Sequence, residues 1–261
     1  MQEREVICED GCRLFCRVEG VGNGAPVVFS HSLGCTLEMW DEQAAALAAT
    51  RRVIRYDSRG HGRSDAPSGD YSNEMLGRDA MAVFNAFGLY RTDFVGLSMG
   101  GMTGMWLGAN APDRIDRLVL ANTTAKMAPV DWDARLADVR ANGMQDIAAT
   151  TIRRWLSDAF KNAHPDMLEK LIATMQAMQV DGYIGSCAVL RDSDLRPLLG
   201  RIGAPALVVA GGDYGQAGAS AADSLVGAIP GARLALIPAA QHLSNIENPS
   251  AFNAALMEFL G

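Results

Sequence analysis

The sequence predicts an α/β protein in which a mostly parallel sheet is wrapped by helices and interrupted by an all-helical insertion. Apolar runs typical of buried strands alternate with helical patterns along the first half of the chain. Strand patterns then disappear over 125–196 and resume afterwards. We therefore expect an α/β core made of 1–124 and 197–261, with a helical lid formed by 125–196.

The first element is a predicted hairpin, because two β-prone runs, Glu5 to Glu9 and Leu14 to Val18, flank Asp10-Gly11. An Asp-Gly pair suits the positive backbone angles of a tight hairpin turn. The later strands are predicted to be parallel, because they alternate with helices along the chain. The first of them, 26–31, is a continuous apolar run, as expected of a strand that is buried on both faces of a sheet. The predicted strands are 26–31, 52–56, 92–96, 117–121, 206–210 and 233–237.

Apolar residues at helical spacing predict the helices that connect these strands. The core helices are 36–49, 73–87, 100–110, 217–228 and 250–260, and the lid helices are 132–140, 147–160 and 167–178. Open sheets of this type place ligands beyond the carboxyl ends of their strands. Functional residues are therefore expected in the loops at that edge.

Charge and composition exclude several classes of function. The 261 residues carry 30 acidic and 23 basic side chains, a net charge of −7 that disfavours nucleic acid and anionic membranes as partners. The first ten residues alternate charged with apolar side chains, unlike a signal peptide, and no run is long enough to cross a bilayer. We expect a cytoplasmic protein that acts on a small molecule, while the oligomeric state cannot be predicted from the sequence.

The cysteines are expected to be free thiols, because their number is odd and the chain is large enough to fold without disulfides. They are Cys8, Cys12, Cys16, Cys35 and Cys187. The even spacing of the first three lacks the paired CxxC and the second ligand cluster of a metal site. We therefore predict no metal centre.

Residues 96–100 read GLSMG, a GxSxG pattern between a predicted strand and a predicted helix. This is the context in which the pattern forms a nucleophile elbow, a sharp turn that presents the serine at the strand end. The glycines are needed because side chains there would collide with the neighbouring chain. Ser98 is therefore the candidate nucleophile, although a turn of small residues also occurs for packing reasons alone.

A serine needs a base, and imidazole is the side chain whose basicity suits neutral pH. Of the four histidines, His164 lies in the helical insertion, and His61 lies in a glycine-rich loop where local hydrogen bonding is its expected role. His31 ends a strand and is expected to support the loop that follows. His242 follows the last predicted strand, where the chain order serine, acid, histidine places the base.

The carboxylate that orients the histidine should follow an earlier strand. Asp213 follows the strand 206–210, whereas the alternative position after the strand 117–121 holds Asn122 and Thr123, which are not acidic. Asp213 is therefore the predicted acid. The alternative is that Asp213 is an ordinary solvated residue of the turn.

Acyl transfer also requires N–H donors for the developing oxyanion. In this topology one donor is the backbone N–H of Met99, directly after the nucleophile. The second is expected in the loop after the strand 26–31, where Leu33 precedes a glycine, Gly34, that lets the backbone turn inward.

Several segments together resemble the α/β-hydrolase superfamily and, within it, the 3-oxoadipate enol-lactonases of aromatic catabolism (β-ketoadipate pathway). In the core these segments are HSLG at 31–34, YDSRGHGRS at 56–64, GLSMGG at 96–101 and QHLSNIENP at 241–249. In the lid they are Trp132, Arg135, Trp155, GYIGSC at 182–187 and DLR at 194–196. The chain departs from the family after Asp213, where YGQAG replaces the usual threonine and prolines.

The resemblance implies a serine hydrolase that opens 3-oxoadipate enol-lactone to 3-oxoadipate without a metal or an organic cofactor. Because this substrate carries a carboxylate, a planar guanidinium in the lid would suit it, and Arg135 is the first candidate. Trp132, Trp155 and Tyr183 are further candidates for substrate binding. All four could instead be ordinary lid residues, either buried in its core or solvated on its surface.

Other functions remain open at this stage, because a hydrolase scaffold fixes the geometry of the chemistry while the lid selects the ligand. A carboxylesterase, a carbon–carbon bond hydrolase or a cofactor-free perhydrolase could use the same residues. A receptor that binds a small molecule and signals through its lid is an alternative of another class. Turnover of a lactone, compared with turnover of a simple aryl ester, separates these possibilities.

Overall fold

The computed structural model describes residues 1–261 and contains one eight-stranded sheet surrounded by helices. The strands are β1 (Gln2–Ile7), β2 (Arg13–Glu19), β3 (Gly24–Ser30), β4 (Arg51–Tyr56), β5 (Thr92–Leu97), β6 (Ile115–Ala121), β7 (Ala206–Gly211) and β8 (Arg233–Ile237). Their order in the sheet is β1-β2-β4-β3-β5-β6-β7-β8. β2 pairs antiparallel with both β1 and β4, and every other pair is parallel, so the predicted fold class is confirmed.

The core helices follow the strands in the order that the sequence predicts. They are α1 (Asp41–Leu47), α2 (Asn73–Ala86), α3 (Met99–Asn110), α9 (Gly215–Ala228), α10 (Ser244–Glu247) and α11 (Pro249–Leu260). Short 3₁₀ helices occupy 37–40, 112–114 and 196–201. α2 packs on α3, which lies against β5 and β6, while α1 packs on α11. None of the helices is both long and apolar enough to cross a membrane.

Five helices form the segment between β6 and β7. They are α4 (Trp132–Asn142), α5 (Gln145–Trp155), α6 (Asp158–Ala163), α7 (Pro165–Gln176) and α8 (Val180–Asp192). The single helix expected over 147–160 is wrong. The chain breaks after Trp155 because Ser157 caps a new helix, its hydroxyl accepting a hydrogen bond from the N–H of Phe160.

The last lid helix, α8, is not predicted by apolar spacing. It contains Gly182 and Gly185, and each glycine lies where the helix meets a core loop. A Cβ at Gly182 would come within 2.5 Å of the carbonyl oxygen of Gly60, and one at Gly185 would come within 2.6 Å of the carbonyl oxygen of Gly69. These glycines therefore allow the lid to sit directly on the core.

The carboxyl ends of β5, β6, β7 and β8 lie at one edge of the sheet, because all four strands are parallel and paired in sequence. The register pairs Leu97 with Ala121 and Gly211 with Ile237. The loops that follow these residues contain Ser98, Asp213 and His242. The fold therefore brings the predicted reactive segments to one edge.

Candidate active site

Ser98 occupies the turn between β5 and α3 with φ 56° and ψ −114°. A positive φ is strained for a residue with a side chain, and such strain is typical of a nucleophile elbow. The flanking glycines are required: a Cβ at Gly96 would lie 2.1 Å from the carbonyl oxygen of Gly100, and one at Gly100 would lie 2.2 Å from that of Ser30. The sharp turn that the GxSxG pattern predicts is present.

Hydrogen bonds from β6 and the residues just after it hold the elbow in place. The N–H of Ser98 donates to the carbonyl of Ala121 (2.9 Å), and the hydroxyl of Thr123 donates to the carbonyl of Ser98 (2.7 Å). Asn122, with φ 43°, donates its side-chain amide to the hydroxyl of Ser244 and accepts from the N–H of Gly211 (2.8 Å). Asn122 thus joins three loops at the sheet edge, a role that sequence reasoning missed.

The loop after β3 presents the second predicted oxyanion donor. The N–H of Leu33 makes no hydrogen bond within the protein, whereas the neighbouring N–H of Gly34 donates to Nε2 of His61 (3.1 Å). Met99 is the first residue of α3, so its N–H has no acceptor inside the helix. The N–H of Gly100 donates to the carbonyl of His31 (3.2 Å), which ties this loop to the elbow.

Two buried histidines brace the loop that carries Leu33. His31 Nε2 accepts the N–H of Ser58 (2.8 Å), and its Nδ1 lies 2.8 Å from the carbonyl oxygen of Ser32. The Nδ1 of His61 lies 3.1 Å from the carbonyl oxygen of Arg59. A ring nitrogen that accepts an N–H carries no proton, so both rings are neutral with the proton on Nδ1. Burial lowers both pKa values, that of His61 to about 3. Their predicted supporting roles are confirmed.

His242 lies in the loop between β8 and α10 and is only 5% exposed. Neither ring nitrogen has a hydrogen-bond partner. The imidazole instead lies between two aromatic rings, with centroids 4.7 Å from Trp155 and 5.0 Å from Tyr214. Its backbone N–H donates to the carbonyl of Trp155 (3.1 Å). Burial and then the nearby charge of Arg154 lower the pKa of His242 to about 3.

Asp213 does not make the contact with His242 that the sequence predicts. Its side chain is exposed and accepts no hydrogen bond, and its backbone N–H donates to the carbonyl of Ala240 (2.9 Å). The turn after β7 is short, because the N–H of Tyr214 donates to the carbonyl of Gly211 (3.2 Å) and α9 begins at the next residue. This turn directs Asp213 to solvent and places the ring of Tyr214 against the imidazole.

Glu247 connects the histidine loop to the lid. Its carboxylate accepts the N–H of Gln241 (2.7 Å) with one oxygen and the N–H of Ser157 (2.8 Å) with the other. Sequence reasoning assigned no role to this residue, although it stands in the segment 241–249 that carries the family resemblance. The contact fixes the position of the loop next to His242.

The four predicted substrate-binding residues divide into two groups. Arg135 lies over the rings of Trp132 (6.0 Å) and Tyr183 (5.6 Å), and it donates to the hydroxyls of Tyr183 (2.8 Å from Nε) and Thr151 (3.3 Å). Tyr183 is fully buried, whereas Trp132 and Arg135 are half-buried. Trp155 is not part of this cluster, because it packs on His242.

The chemistry available at this edge is that of acyl transfer. A strained serine, two backbone amides and a neutral imidazole occupy neighbouring loops, which is the set of groups that activates a hydroxyl and stabilises an oxyanion. No group of three or more His, Cys, Asp or Glu side chains is arranged to hold a metal ion.

Comparison with known proteins shows the family to which the chain belongs. The family of the alpha/beta hydrolase fold matches residues 25–249. The 3-oxoadipate enol-lactonase 2 of Acinetobacter baylyi is 37% identical over 91% of this chain and 89% of its own length. The enol-lactonase of Burkholderia xenovorans LB400 superimposes with a TM-score of 0.94 at 37% identity, covering 98% of this chain and 99% of that one. A hydrolase of Pseudomonas aeruginosa PA01 gives a TM-score of 0.94 at 41% identity over 100% and 98%. The chain belongs to the α/β-hydrolase fold family and is a hydrolase related to the 3-oxoadipate enol-lactonases.

Proposed function

We propose that this protein hydrolyses 3-oxoadipate enol-lactone to 3-oxoadipate through an acyl-enzyme on Ser98. The observation that carries the proposal is the strained conformation of Ser98 at the end of β5, in a chain related to enol-lactonases along nearly its whole length. The strained turn presents the hydroxyl where the loops of the sheet edge meet.

The reaction begins when the Ser98 hydroxyl attacks the lactone carbonyl and His242 takes its proton. The N–H groups of Leu33 and Met99 stabilise the oxyanion, because neither is committed to an acceptor in the protein. Ring opening expels the enolate oxygen, which receives the proton from His242. The enol stays tethered to the acyl-enzyme and tautomerises to the ketone. Water activated by His242 then releases the acid and restores Ser98.

Arg135 is the residue that we propose for the substrate carboxylate. Its guanidinium is oriented by the hydroxyls of Tyr183 and Thr151 and forms no salt bridge. A half-buried, oriented and unpaired guanidinium suits a planar carboxylate. Trp132 covers one side of it and supplies an apolar surface for the rest of a small substrate.

The primary test is the turnover of freshly prepared enol-lactone, followed by the loss of its ultraviolet absorbance. We expect rapid turnover by the wild type, much slower hydrolysis of a simple aryl ester, and no turnover by Ser98→Ala. Hydrolysis of the ester without turnover of the lactone would support Ser98 as the nucleophile and would show that the substrate is an ordinary ester. Inactivity on both substrates would favour a ligand-binding role for the lid.

The carboxylate site is tested by Arg135→Ala, with Arg153→Ala as the matched control. Both arginines lie on lid helices, but the side chain of Arg153 is exposed and makes no hydrogen bond. We expect Arg135→Ala to raise KM for the lactone about 10- to 100-fold, the usual loss for a charged hydrogen-bonded contact. An unchanged KM would show that Arg135 only supports the lid.

A further inference from the structure

Residues 121–123, at the end of β6, contact the backbone of Ser98 on both sides. The carbonyl of Ala121 accepts the N–H of Ser98 (2.9 Å), and the hydroxyl of Thr123 donates to the carbonyl of Ser98 (2.7 Å). Asn122 lies between these two contacts, and its own N–H donates to the carbonyl of Val209 on β7 (2.8 Å). Asn122 is therefore joined to the candidate nucleophile through both of its neighbours in the chain.

The side chain of Asn122 reaches the ends of the next two loops of the sheet edge. Its Oδ1 accepts the N–H of Gly211 (2.8 Å), the last residue of β7, and its Nδ2 donates to the hydroxyl of Ser244. Ser244 is fully buried and lies two residues after His242. No other hydrogen bond joins 121–123 to 241–245.

We propose that Asn122 is a positioning residue that fixes the loop of His242 relative to Ser98, through the bond from its amide to Ser244. The inference rests on the proposed roles of Ser98 and His242 as nucleophile and base. It concerns the relative placement of their loops and assigns no chemical step to Asn122.

The backbone of Asn122 supplies the first argument. Its φ of 43° lies in the left-handed region, which costs free energy for a residue with a side chain, although Asn tolerates it better than most. Glycine would adopt the same conformation more easily but would make neither side-chain bond. Strain of this kind persists where the surrounding contacts compensate for it. The contacts made by the amide of Asn122 supply that compensation, because the side chain is buried and both of its polar atoms are bonded.

The chemistry of an amide supplies the second argument. An amide offers acceptor and donor atoms in one plane, so a single short side chain can accept a backbone N–H and donate to a hydroxyl. Proton transfer requires the base to lie within hydrogen-bond reach of the nucleophile. A misplacement of about 1 Å can cost about 10²-fold in rate. The bond to Ser244 therefore acts on the quantity to which the proposed reaction is most sensitive.

The first experiment compares Asn122→Gly with Ala239→Gly. Asn122→Gly removes the amide without adding backbone strain, whereas Ala239 also has a positive φ (52°) but lies exposed in the turn after β8 and has no polar side-chain atom. We expect Asn122→Gly to lower kcat for the lactone by about 10²-fold with KM changed less than about threefold. Ala239→Gly should stay within about threefold of the wild type in both constants.

A double-mutant cycle tests whether the effect passes through Ser244. Ser244→Ala removes only the acceptor of the Asn122 amide and should lower kcat by about tenfold, because the bond to Gly211 remains. If the two residues act through their shared bond, the double variant should be no slower than Asn122→Gly. Independent effects would multiply to about 10³-fold.

Two further measurements separate positioning from stability and from the choice of substrate. Urea unfolding of each variant shows that the assays are run on folded protein. The rate at which a fluorophosphonate labels Ser98, forming a bond from the serine oxygen to phosphorus and expelling fluoride, should fall in parallel with kcat. If labelling follows this pattern but the wild type does not open the lactone, the proposed substrate fails and the role of Asn122 stands.

The proposal would be overturned if folded Asn122→Gly kept kcat and labelling within about threefold of Ala239→Gly, since its amide would then only stabilise the fold. Multiplicative losses in the double variant would also contradict it. If Asn122→Gly does not fold, Ser244→Ala decides alone: a tenfold loss of kcat and labelling in a folded variant supports the role, and unchanged rates refute it.

Discussion

The two sides of the site are built in opposite ways. On the oxyanion side, the ring nitrogens of His31 and His61 are all engaged with backbone groups, two beside Leu33 and two in the loop after β4. On the base side, His242 has no polar partner and is held by rings. Amide donors must be preorganised to stabilise charge without rearrangement, whereas a base must exchange a proton in each step. The hydrogen bonds that fix the oxyanion loop, and the absence of polar partners around His242, therefore match the different roles of the two sides in the reaction.

The comparison also separates stability from activity. Removing a histidine whose nitrogens are bonded leaves buried backbone groups unpaired, and that costs folding free energy. Removing a histidine whose nitrogens are unpartnered leaves nothing unpaired. Replacement of His242 by phenylalanine should therefore reduce mainly activity, whereas the same replacement of His61 should reduce mainly stability.

The largest effect is expected for His242→Phe. This variant removes the base, so kcat/KM should fall about 10⁴-fold, which corresponds to about 5.5 kcal/mol of transition-state stabilisation. Its free energy of unfolding should change by less than about 1 kcal/mol, because the new ring packs between Trp155 and Tyr214 and no hydrogen bond is lost. Activity assays and urea unfolding measure the two quantities. A variant that unfolds easily would show that His242 is structural.

Acid should destabilise the protein through both sides of the site. The pKa values of His61 and His242 are lowered to about 3, below the unfolded value of about 6.5. Between these pH values the unfolded chain binds more protons than the folded one, so stability falls as pH falls from about 6.5 to about 3. Each histidine should contribute a loss of about 3 kcal/mol by pH 4, which urea unfolding at several pH values measures.

The corresponding variants sharpen this test. His61→Phe and His242→Phe each lack one group that takes up a proton when the chain unfolds in acid. In each variant the slope of the free energy of unfolding against pH, between about pH 4 and 6, should therefore fall by about 1.4 kcal/mol per pH unit. An unchanged slope in either variant would show that its histidine titrates normally in the folded protein.

His61→Phe should have a moderate effect and act mainly on stability. It leaves the N–H of Gly34 and the carbonyl of Arg59 without partners in a buried loop, which should cost about 3 kcal/mol. Activity should fall less than in His242→Phe, because the Leu33 donor is displaced but the base remains. Unfolding and lactone assays of the two phenylalanine variants, side by side, give the comparison. Equal losses of stability in His61→Phe and His242→Phe would contradict the proposed difference between the oxyanion side and the base side.

Much of the fold was predictable because its signals are local. The apolar run of β7 is typical of a buried strand, and Gly96 and Gly100 are required at the elbow by backbone contacts that the GxSxG pattern already implies. The split after Trp155 was harder to predict, because helix formers continue across it. Besides the local cap at Ser157, the structure there includes a contact from far along the chain, in which Glu247 accepts the N–H of Ser157.

The site was less predictable than the fold for the same reason. Chain order predicts that a carboxylate follows β7, and Asp213 does follow it. The length of the turn, however, decides which way each side chain points. Here the turn is short enough that Tyr214 meets His242, and no local pattern encodes that pairing. The supporting roles of His31 and His61 were predictable, because His31 ends a strand directly before the oxyanion loop and His61 lies in a glycine-rich loop.

The smallest effect should come from Gly34→Ala. Gly34 has φ +75°, and an added Cβ would lie 2.8 Å from Sδ of Met175, a flexible side chain on α7. Gly88→Ala is the matched control, because Gly88 has φ +68° and no atom within 4 Å of the added Cβ. Both variants should lose about 1 kcal/mol of stability from backbone strain. Only Gly34→Ala should also slow the lactone reaction, by about tenfold, because its strain moves the neighbouring Leu33 donor. Equal activity in the two variants would show that the oxyanion loop adjusts freely despite its bracing.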